Sequence, residues 1–259
     1  MTKPALLGNG LLVIWGDIDN TANDEEALND WWTNEHLPER LSIEGFRRAR
    51  RYYSADESST SISKYLVCYE VSTLATLTSE AYMAKLNDPT PGTAKYMSLL
   101  ATLTRCASNV VHSAGREEFS VLKSGSVGST IVHIVISFPP LSSDKEQELR
   151  NWAVSTLTPR VLASHHSVLA VHIVQPDDAA TKTGNSSKSY DTVKVIKKDR
   201  ESESGNKWIL LVEFAYTKNA VLKHAKSPAL KESFMEYITS LGAKVESNEV
   251  YELLCVANE

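Results

Sequence analysis

The chain carries the stretch Lys64-Tyr65-Leu66-Val67-Cys68-Tyr69-Glu70-Val71, and 143 residues later it carries Lys207-Trp208-Ile209-Leu210-Leu211-Val212-Glu213-Phe214. Both stretches are short, apolar and contain several β-favouring residues, which is typical of a buried strand. Two more pairs of segments match in the same order: 31–41 with 152–162, at a shift of 121, and 108–111 with 247–250, at a shift of 139. Three matches in one order indicate a duplicated domain.

The pattern in each copy predicts the element order β-α-β-β-α-β, the split βαβ unit of ferredoxin-like domains. In the first copy these elements are expected at 11–17, 24–41, 46–53, 64–71, 79–103 (with a loop at 89–92) and 109–112. In the second copy they are expected at 130–138, 145–162, 168–174, 207–214, 228–241 and 248–255. We therefore predict an α+β protein with domains at 1–115 and 129–259, joined by a linker at 116–128. The hairpin loop of the second copy, about 176–206, is rich in Ser, Lys, Asp and Gly, and we expect it to be mobile.

A four-stranded antiparallel sheet with both helices on one face leaves its other face bare. The second copy is available to cover that face, so we predict that the two sheets of one chain close into an α/β barrel around a cavity. Strand alternation points His133 into this cavity. The equivalent strand of the first copy presents Val13 and Asp17 there, with Trp15 between them.

Composition narrows the class of protein. The 259 residues are 42% hydrophobic and 23% charged, as in an ordinary globular protein, and the net charge of −5 argues against a nucleic-acid surface. Cys68, Cys106 and Cys255 are too few and too widely spaced for a disulfide framework, and we expect them to be buried thiols. No apolar run approaches the ~20 residues of a membrane span. We therefore expect a cytoplasmic protein with no membrane or nucleic-acid partner.

A family pattern is visible in the first copy. The segments Trp31-Trp32-Thr33-Asn34-Glu35-His36-Leu37-Pro38-Glu39-Arg40, Gly45-Phe46, Arg50-Arg51-Tyr52 and 64–70 resemble EthD-like proteins of the dimeric α/β-barrel superfamily. The resemblance covers roughly residues 10–112, and the second copy is similar only in layout. Members of that superfamily include cofactor-free monooxygenases, decarboxylases and cyclases of aromatic polyketides, lactone isomerases, haem enzymes and stress proteins. The resemblance implies a fused pseudo-dimer with a histidine in the barrel cleft, and His36 matches the family's helix histidine.

The two copies differ in polar residues on this helix. His36 and Arg40 of the first copy stand where the second copy has Leu157 and Val161. A shared fold does not require those polar groups, so His36 is the leading catalytic candidate, able to take a proton near neutral pH. Helical spacing of four residues places Arg40 and also Trp32 on its face. The alternative is a histidine that caps the helix or lies at the surface.

Other residues complete the predicted site. Asp17 either assists catalysis from the cavity or caps the next helix. Arg51, aligned with His172 at the shift of 121, either holds an oxyanion or pairs with Glu35 or Glu70. Most of the candidate substrate-binding residues are aromatic or contain an imidazole, although such aromatic residues are more often core. They are Trp15, Trp32, Asn34, Tyr52, Tyr69, His133 and His172.

These residues predict a cofactor-independent enzyme that acts on a small oxygenated aromatic or polyketide-like metabolite. His36 would move a proton in a decarboxylation, isomerisation or cyclisation. The histidines, including adjacent His165 and His166, have no metal-ligand spacing, so we expect no metal, and no glycine-rich nucleotide motif is present, so we expect no cofactor. The alternatives are a cofactor-free monooxygenase, a non-catalytic ligand-binding or stress-response barrel, and a structural pseudo-dimer with a filled core. Two pseudo-dimers could associate further.

Overall fold

The computed structural model describes residues 5–18, 24–54, 63–100, 102–116, 127–191, 193, 207–217, 219, 221 and 235–259. These residues form eight strands: β1 (Gly10–Asp17), β2 (Phe46–Ser54), β3 (Tyr65–Val71), β4 (Thr102–Gly115), β5 (Thr130–Ser137), β6 (Val168–Pro176), β7 (Lys207–Phe214) and β8 (Lys244–Asn258). All neighbours are antiparallel, and the strands close into one barrel in the order β1-β3-β2-β8-β5-β7-β6-β4.

The barrel consists of two halves with the same strand order. The first half runs β4-β1-β3-β2 and the second runs β8-β5-β7-β6, which is the ferredoxin-like arrangement in each. The halves join where β2 pairs with β8 and where β4 pairs with β6. These joins use the longest strands, β4 with 14 residues and β8 with 15, which pair within their own half and with the other half. The predicted fold class is confirmed, whereas the domain limits at 115 and 129 stay a prediction because 117–126 lie outside the described residues.

The helices lie on the outer face of the sheet. In the first half they are α1 (Glu25–Trp31), α2 (Leu37–Leu41), α3 (Glu80–Asn87) and α4 (Pro91–Met97). In the second half they are α5 (Ser143–Trp152), α6 (Thr158–Ser164) and α7 (Asp178–Asn185), and residues 235–240 are also helical. Side-chain oxygens of Ser79, Thr90 and Ser142 accept backbone N–H groups at the starts of α3, α4 and α5. None of the described helices is long and apolar enough to cross a membrane.

Side chains fill the barrel interior. The cavity that we expect there from the sequence is therefore not observed among the described residues. The apolar part of this interior core joins both halves and contains Leu11, Val13, Tyr52, Leu66, Cys68, Ile131, Val135, Ile209, Leu211 and Tyr251. Separate apolar clusters lie between the sheet and the helices of each half. The inward positions of the strands are occupied by large residues, and this is why the interior is a packed core.

A buried ion cluster lies in the same interior. Glu70 of β3 pairs with Arg48, with 2.8 Å between Nε and Oε1, and with Arg50, at 3.0 Å. Arg50 also pairs with Glu213 of β7, and His172 Nε2 lies 2.7 Å from Glu213 Oε1. Arg50 therefore connects the equivalent carboxylates of the two halves.

The long hairpin segment of the second half contains a helix. We expect a mobile loop at about 176–206 from the sequence, but residues 178–185 form α7, and 192 and 194–206 lie outside the described residues. Asp177 caps this helix by accepting the backbone N–H of Ala180, at 2.8 Å. Thr181 ties it to β4 by accepting the N–H of Ala107, at 3.0 Å. Docking on the first half explains why a polar segment is helical here.

Candidate functional site

The first helix of the first half contains a wide turn. Residues 32–36 form a π-helical turn between α1 and α2, and the N–H of Leu37 donates to the carbonyl of Trp32, five residues earlier. This turn brings residues five apart onto one face, so His36 lies against Trp31, with 4.8 Å between ring centroids. The expectation from α-helical spacing, that Trp32 would form the wall beside His36, is wrong for this reason.

His36 is buried and electrically neutral. His36 is 9% exposed and lies between the helix and the sheet. Burial lowers its pKa well below the ordinary histidine value, and the charges of Arg40 and Arg51 lower it further. Nδ1 has no hydrogen-bond partner in the described part of the chain, where the nearest carboxylate oxygen, Oε2 of Glu39, is 4.0 Å away. The imidazole is therefore a free base that can accept a proton.

Arg40 supplies a buried positive charge beside this imidazole. It is 3% exposed, and no described residue hydrogen-bonds its Nη1. Nη2 lies 3.8 Å from Oε2 of Glu39, which is too long for a hydrogen bond, and neither carboxylate oxygen of Glu39 has a hydrogen-bond partner among the described residues. The Arg40 guanidinium can therefore donate to a further group.

Arg51 connects the sheet to the first helix. Its Nη1 donates to Thr33 Oγ1 at 2.6 Å and to the carbonyl of Asn29 at 3.2 Å, and its guanidinium lies 4.5 Å from the Trp32 ring centroid. It does not form the predicted alternative pair with Glu35, which accepts from Thr90 Oγ1. Arg51 acts on His36 through its charge, and its hydrogen bonds position α1.

The strand pairing shows that Arg51 is not the counterpart of His172, as the shift of 121 predicted. Arg50 pairs with Cys68, and His172 pairs with Leu211, the residue equivalent to Cys68 in the repeat. Arg50 is therefore the counterpart of His172, and both side chains join the interior ion cluster.

The predicted residues separate onto two faces of the sheet. Trp32 and Tyr69 lie on the helix side with His36, and Trp32 donates a hydrogen bond to Tyr69. Asn34 is exposed and donates to Asp30 Oδ1 at 2.7 Å.

The other predicted residues are inside the barrel or at its rim. Trp15 and His133 contact each other, with 4.8 Å between ring centroids, and Tyr52 and His172 are buried in the same interior. Asp17 follows on the same strand face and accepts the N–H of Lys64 at 2.8 Å. The structure therefore does not bring these five residues to His36.

Three residues near Arg40 are not found by the sequence analysis. Tyr82 of α3 lies 6.0 Å, ring centroid to guanidinium carbon, from Arg40. Arg105 of β4 donates to the Tyr82 hydroxyl, at 3.3 Å, and lies over the ring of Tyr190, which belongs to the second half. Arg105 lies outside the strand predicted at 109–112 and is a strand residue only because β4 begins at Thr102, so the sequence contains no signal for it. The repeat gives no signal for Tyr190, which lies in the inserted segment.

The equivalent layer of the second half is apolar. It repeats the helix with a π-helical turn at 153–157 and a proline two residues after it. A small space in this layer is lined by apolar side chains that include Phe138, Trp152 and Leu157. The same backbone geometry thus forms without His36 or Arg40.

No protein-family model and no curated protein matches the chain. Among solved structures, it is similar to an anthrone oxidase-like protein, at 10% identity and a TM-score of 0.56, covering 100% of this chain and 96% of that chain. It is also similar to candidate monooxygenases from Fusobacterium nucleatum, at 9% identity and 0.53, with 98% and 96% covered, and Lactobacillus acidophilus, at 10% and 0.51, with 96% of each covered. The chain has the dimeric α/β-barrel fold. At sequence identities this low, the similarity shows the fold and does not indicate which reaction the protein catalyses.

Proposed function

We propose that the protein is a cofactor-independent enzyme in which His36 moves a proton on a small, oxygenated, aromatic or polyketide-like substrate. The observation that carries this proposal is a buried, neutral imidazole with an unpartnered Nδ1 beside the buried guanidinium of Arg40. Membership of the EthD-like family, which the motif of the first half suggests, is part of the same proposal.

The chemistry follows from these two side chains. His36 takes a proton from a carbon next to a substrate carbonyl or conjugated with it, and the C–H electron pair becomes that of an enolate. Arg40 stabilises the negative enolate oxygen, and the carboxylate of Glu39, 4.0 Å from Nδ1, stabilises the imidazolium. Return of the proton to another carbon completes an isomerisation, and attack of the enolate carbon on a second carbonyl of the substrate gives cyclisation. Decarboxylation reaches the same enolate by loss of CO2.

The difference between the halves supports a catalytic role. Burying His36 and Arg40 costs free energy, and the second half avoids this cost with Leu157 and Val161 on the same helix geometry. A polar pair that the fold does not require is best explained by chemistry. The filled barrel interior is what the structural pseudo-dimer predicts, and it removes the barrel cavity as a substrate site. A catalytic role therefore depends on His36 and Arg40, which lie between the helices and the sheet.

A cofactor-free monooxygenase is the second candidate. The similar structures include an anthrone oxidase-like protein and candidate monooxygenases, and oxygenation without a cofactor begins with the same enolate. In that case the enolate donates electrons to O2, and one oxygen atom enters the product while the other leaves in water. Oxygen uptake separates this reaction from proton transfer alone.

Anthrone is a suitable probe because its C10 hydrogens are acidic and its enolate absorbs visible light. We expect the enzyme to accelerate hydrogen exchange at C10 in D2O without oxygen, and His36→Gln to slow it by about 100-fold or more. His166→Gln, at an exposed histidine, is the matched control. A wild-type rate in His36→Gln, or no acceleration by the wild type, would contradict the proposal, and a stoichiometric oxygen uptake in air would select the monooxygenase.

A further inference from the structure

Arg105 is a buried cation without a carboxylate partner among the described residues. It is 2% exposed on the helix side of β4, opposite Ile14 of β1. Its Nη1 donates to the carbonyl of Thr181 at 3.2 Å and its Nη2 to the hydroxyl of Tyr82 at 3.3 Å. Among the described residues, Nε has no hydrogen-bond partner. The guanidinium also donates a hydrogen bond to the side chain of Tyr190. A neutral carbonyl and two phenols do not balance its charge.

Arg40 approaches the same tyrosine from another element. Its guanidinium carbon is 6.0 Å from the Tyr82 ring centroid, and its Nη1 has no hydrogen-bond partner within the ranges that the structure describes. Among the described residues, the carboxylate of Glu39 is the one within 4.0 Å of the Arg40 guanidinium, with 3.8 Å between Nη2 and Oε2. Tyr82 therefore contacts two buried guanidinium groups that together have one distant carboxylate.

The second half closes over Arg105. Its guanidinium carbon lies 5.7 Å from the ring centroid of Tyr190, in the segment that follows α7. Burial raises the pKa of Tyr190, so its hydroxyl stays protonated and can donate a hydrogen bond. Gly184 of α7 packs so closely that a Cβ at this position would lie 2.4 Å from Cζ of Arg105. Two halves of the chain thus contribute to one buried polar cluster.

Buried charges are normally paired, because an isolated ion in a protein interior loses several kcal/mol of solvation. We propose that Arg40, Arg105, Tyr82 and Tyr190 bind the carboxylate of an aromatic ligand. This site extends the proposed function, since it names the charge class of the substrate that His36 would act on. A carboxylate would accept from the free Nη1 of Arg40 and the free Nε of Arg105.

The probes are 2-naphthoate and its neutral isostere 2-naphthamide, with affinity measured by isothermal titration calorimetry on the full chain. Charge-assisted hydrogen bonds contribute about 1.5–3 kcal/mol, so naphthoate should bind at least about tenfold more tightly than the amide. Arg105→Gln and Arg105→Lys should remove most of this preference. Arg160→Gln, which removes an exposed arginine from α6, the counterpart of the helix that carries Arg40, should preserve it.

Folding of each variant is checked by circular dichroism, and Tyr190→Phe, which keeps the ring, should weaken naphthoate binding less than Arg105→Gln. Equal affinity of the wild type for acid and amide, or an unchanged preference in Arg105→Gln, would overturn the site. His36→Gln separates the two proposals, because it should abolish proton exchange and leave the preference for naphthoate intact.

Discussion

The imidazole of His36 lies against the indole of Trp31, 4.8 Å between ring centroids, across the π-helical turn of the first half. Trp31 is held on its other side by Tyr96, at 5.4 Å and nearly parallel, and by Gly92, whose missing Cβ would lie 2.8 Å from the indole Cδ1. Packing of α4 on the indole therefore keeps water from the imidazole.

Trp31→Leu should raise the pKa of His36 toward its ordinary value, because burial is the largest cause of its depression. Proton exchange by the wild type should persist well below pH 6.5, since the imidazole is still neutral there, whereas Trp31→Leu should lose activity at a higher pH. NMR titration of the histidine ring and the pH profile of exchange measure this. Trp152→Leu, at the equivalent residue of the second half, should leave both unchanged.

Removing one member of the ion cluster should strongly reduce the free energy of unfolding. Burial alone would raise the pKa of Glu213, but the charge of Arg50 and the hydrogen bond and charge of His172 outweigh burial and lower it. Glu213→Gln should reduce the free energy of unfolding by about 3–5 kcal/mol at pH 7, since Arg50 loses a buried partner. Urea unfolding measures this change.

The lowered pKa of Glu213 determines how its contribution to the free energy of unfolding changes with pH. Its contribution is present above the unfolded-state carboxyl pKa and is lost as pH falls through the folded value, so the difference between wild type and Glu213→Gln should shrink in acid. Arg47→Gln, which breaks the exposed pair with Glu259, should cost about 0–1 kcal/mol. Similar losses in both variants would show that the cluster does not stabilise the barrel.

His133 should make the protein sensitive to acid. Burial lowers its pKa to about 3, so between pH 6.5 and pH 3 the unfolded chain binds a proton that the folded chain does not. Stability from this residue is therefore present above pH 6.5 and decreases as pH falls. Neither ring nitrogen has a hydrogen-bond partner among the residues described, so His133→Leu should be nearly neutral at pH 7 and stabilising at pH 4.5. Urea midpoints at both pH values test this, and a large loss at pH 7 would reveal a polar partner.

Gly184→Ala should disturb Arg105 from outside the ligand site. The new Cβ would lie 2.4 Å from Cζ of Arg105, so the guanidinium must shift, and naphthoate affinity should fall several-fold. Thr183→Ala, at an exposed neighbour on the same helix, is the control and should retain affinity. Calorimetry on both variants measures this effect, and equal affinities would show that Gly184 does not position Arg105.

Regular periodicity explains what the sequence predicts well. The strands Tyr65–Val71 and Lys207–Phe214 lie within the quoted repeat, and the alternation that points Val13 and His133 inward is observed. The burial of Arg40 follows from its spacing to His36. Each of these features depends on a repeat of two or of 3.6 residues, which can be read from the chain.

Single-residue irregularities of the backbone explain most of the features that the sequence does not predict. A bulge between Phe46 and Arg48 reverses the alternation in β2, so Phe46 and Arg51 both face the helices while Arg50 faces the interior. The π-helical turn shifts the helix face by one residue, from Trp32 to Trp31.

The sequence by itself determined the duplication, the order of the elements, the α+β class and the difference in polar residues between the halves, because these depend on composition and local period. Only the tertiary structure decided which face of the sheet each polar residue occupies and brought Tyr190 to Arg105. Those outcomes depend on bulges, a wide helical turn and the docking of α7 on β4, and contacts between distant segments leave no periodic trace in the chain.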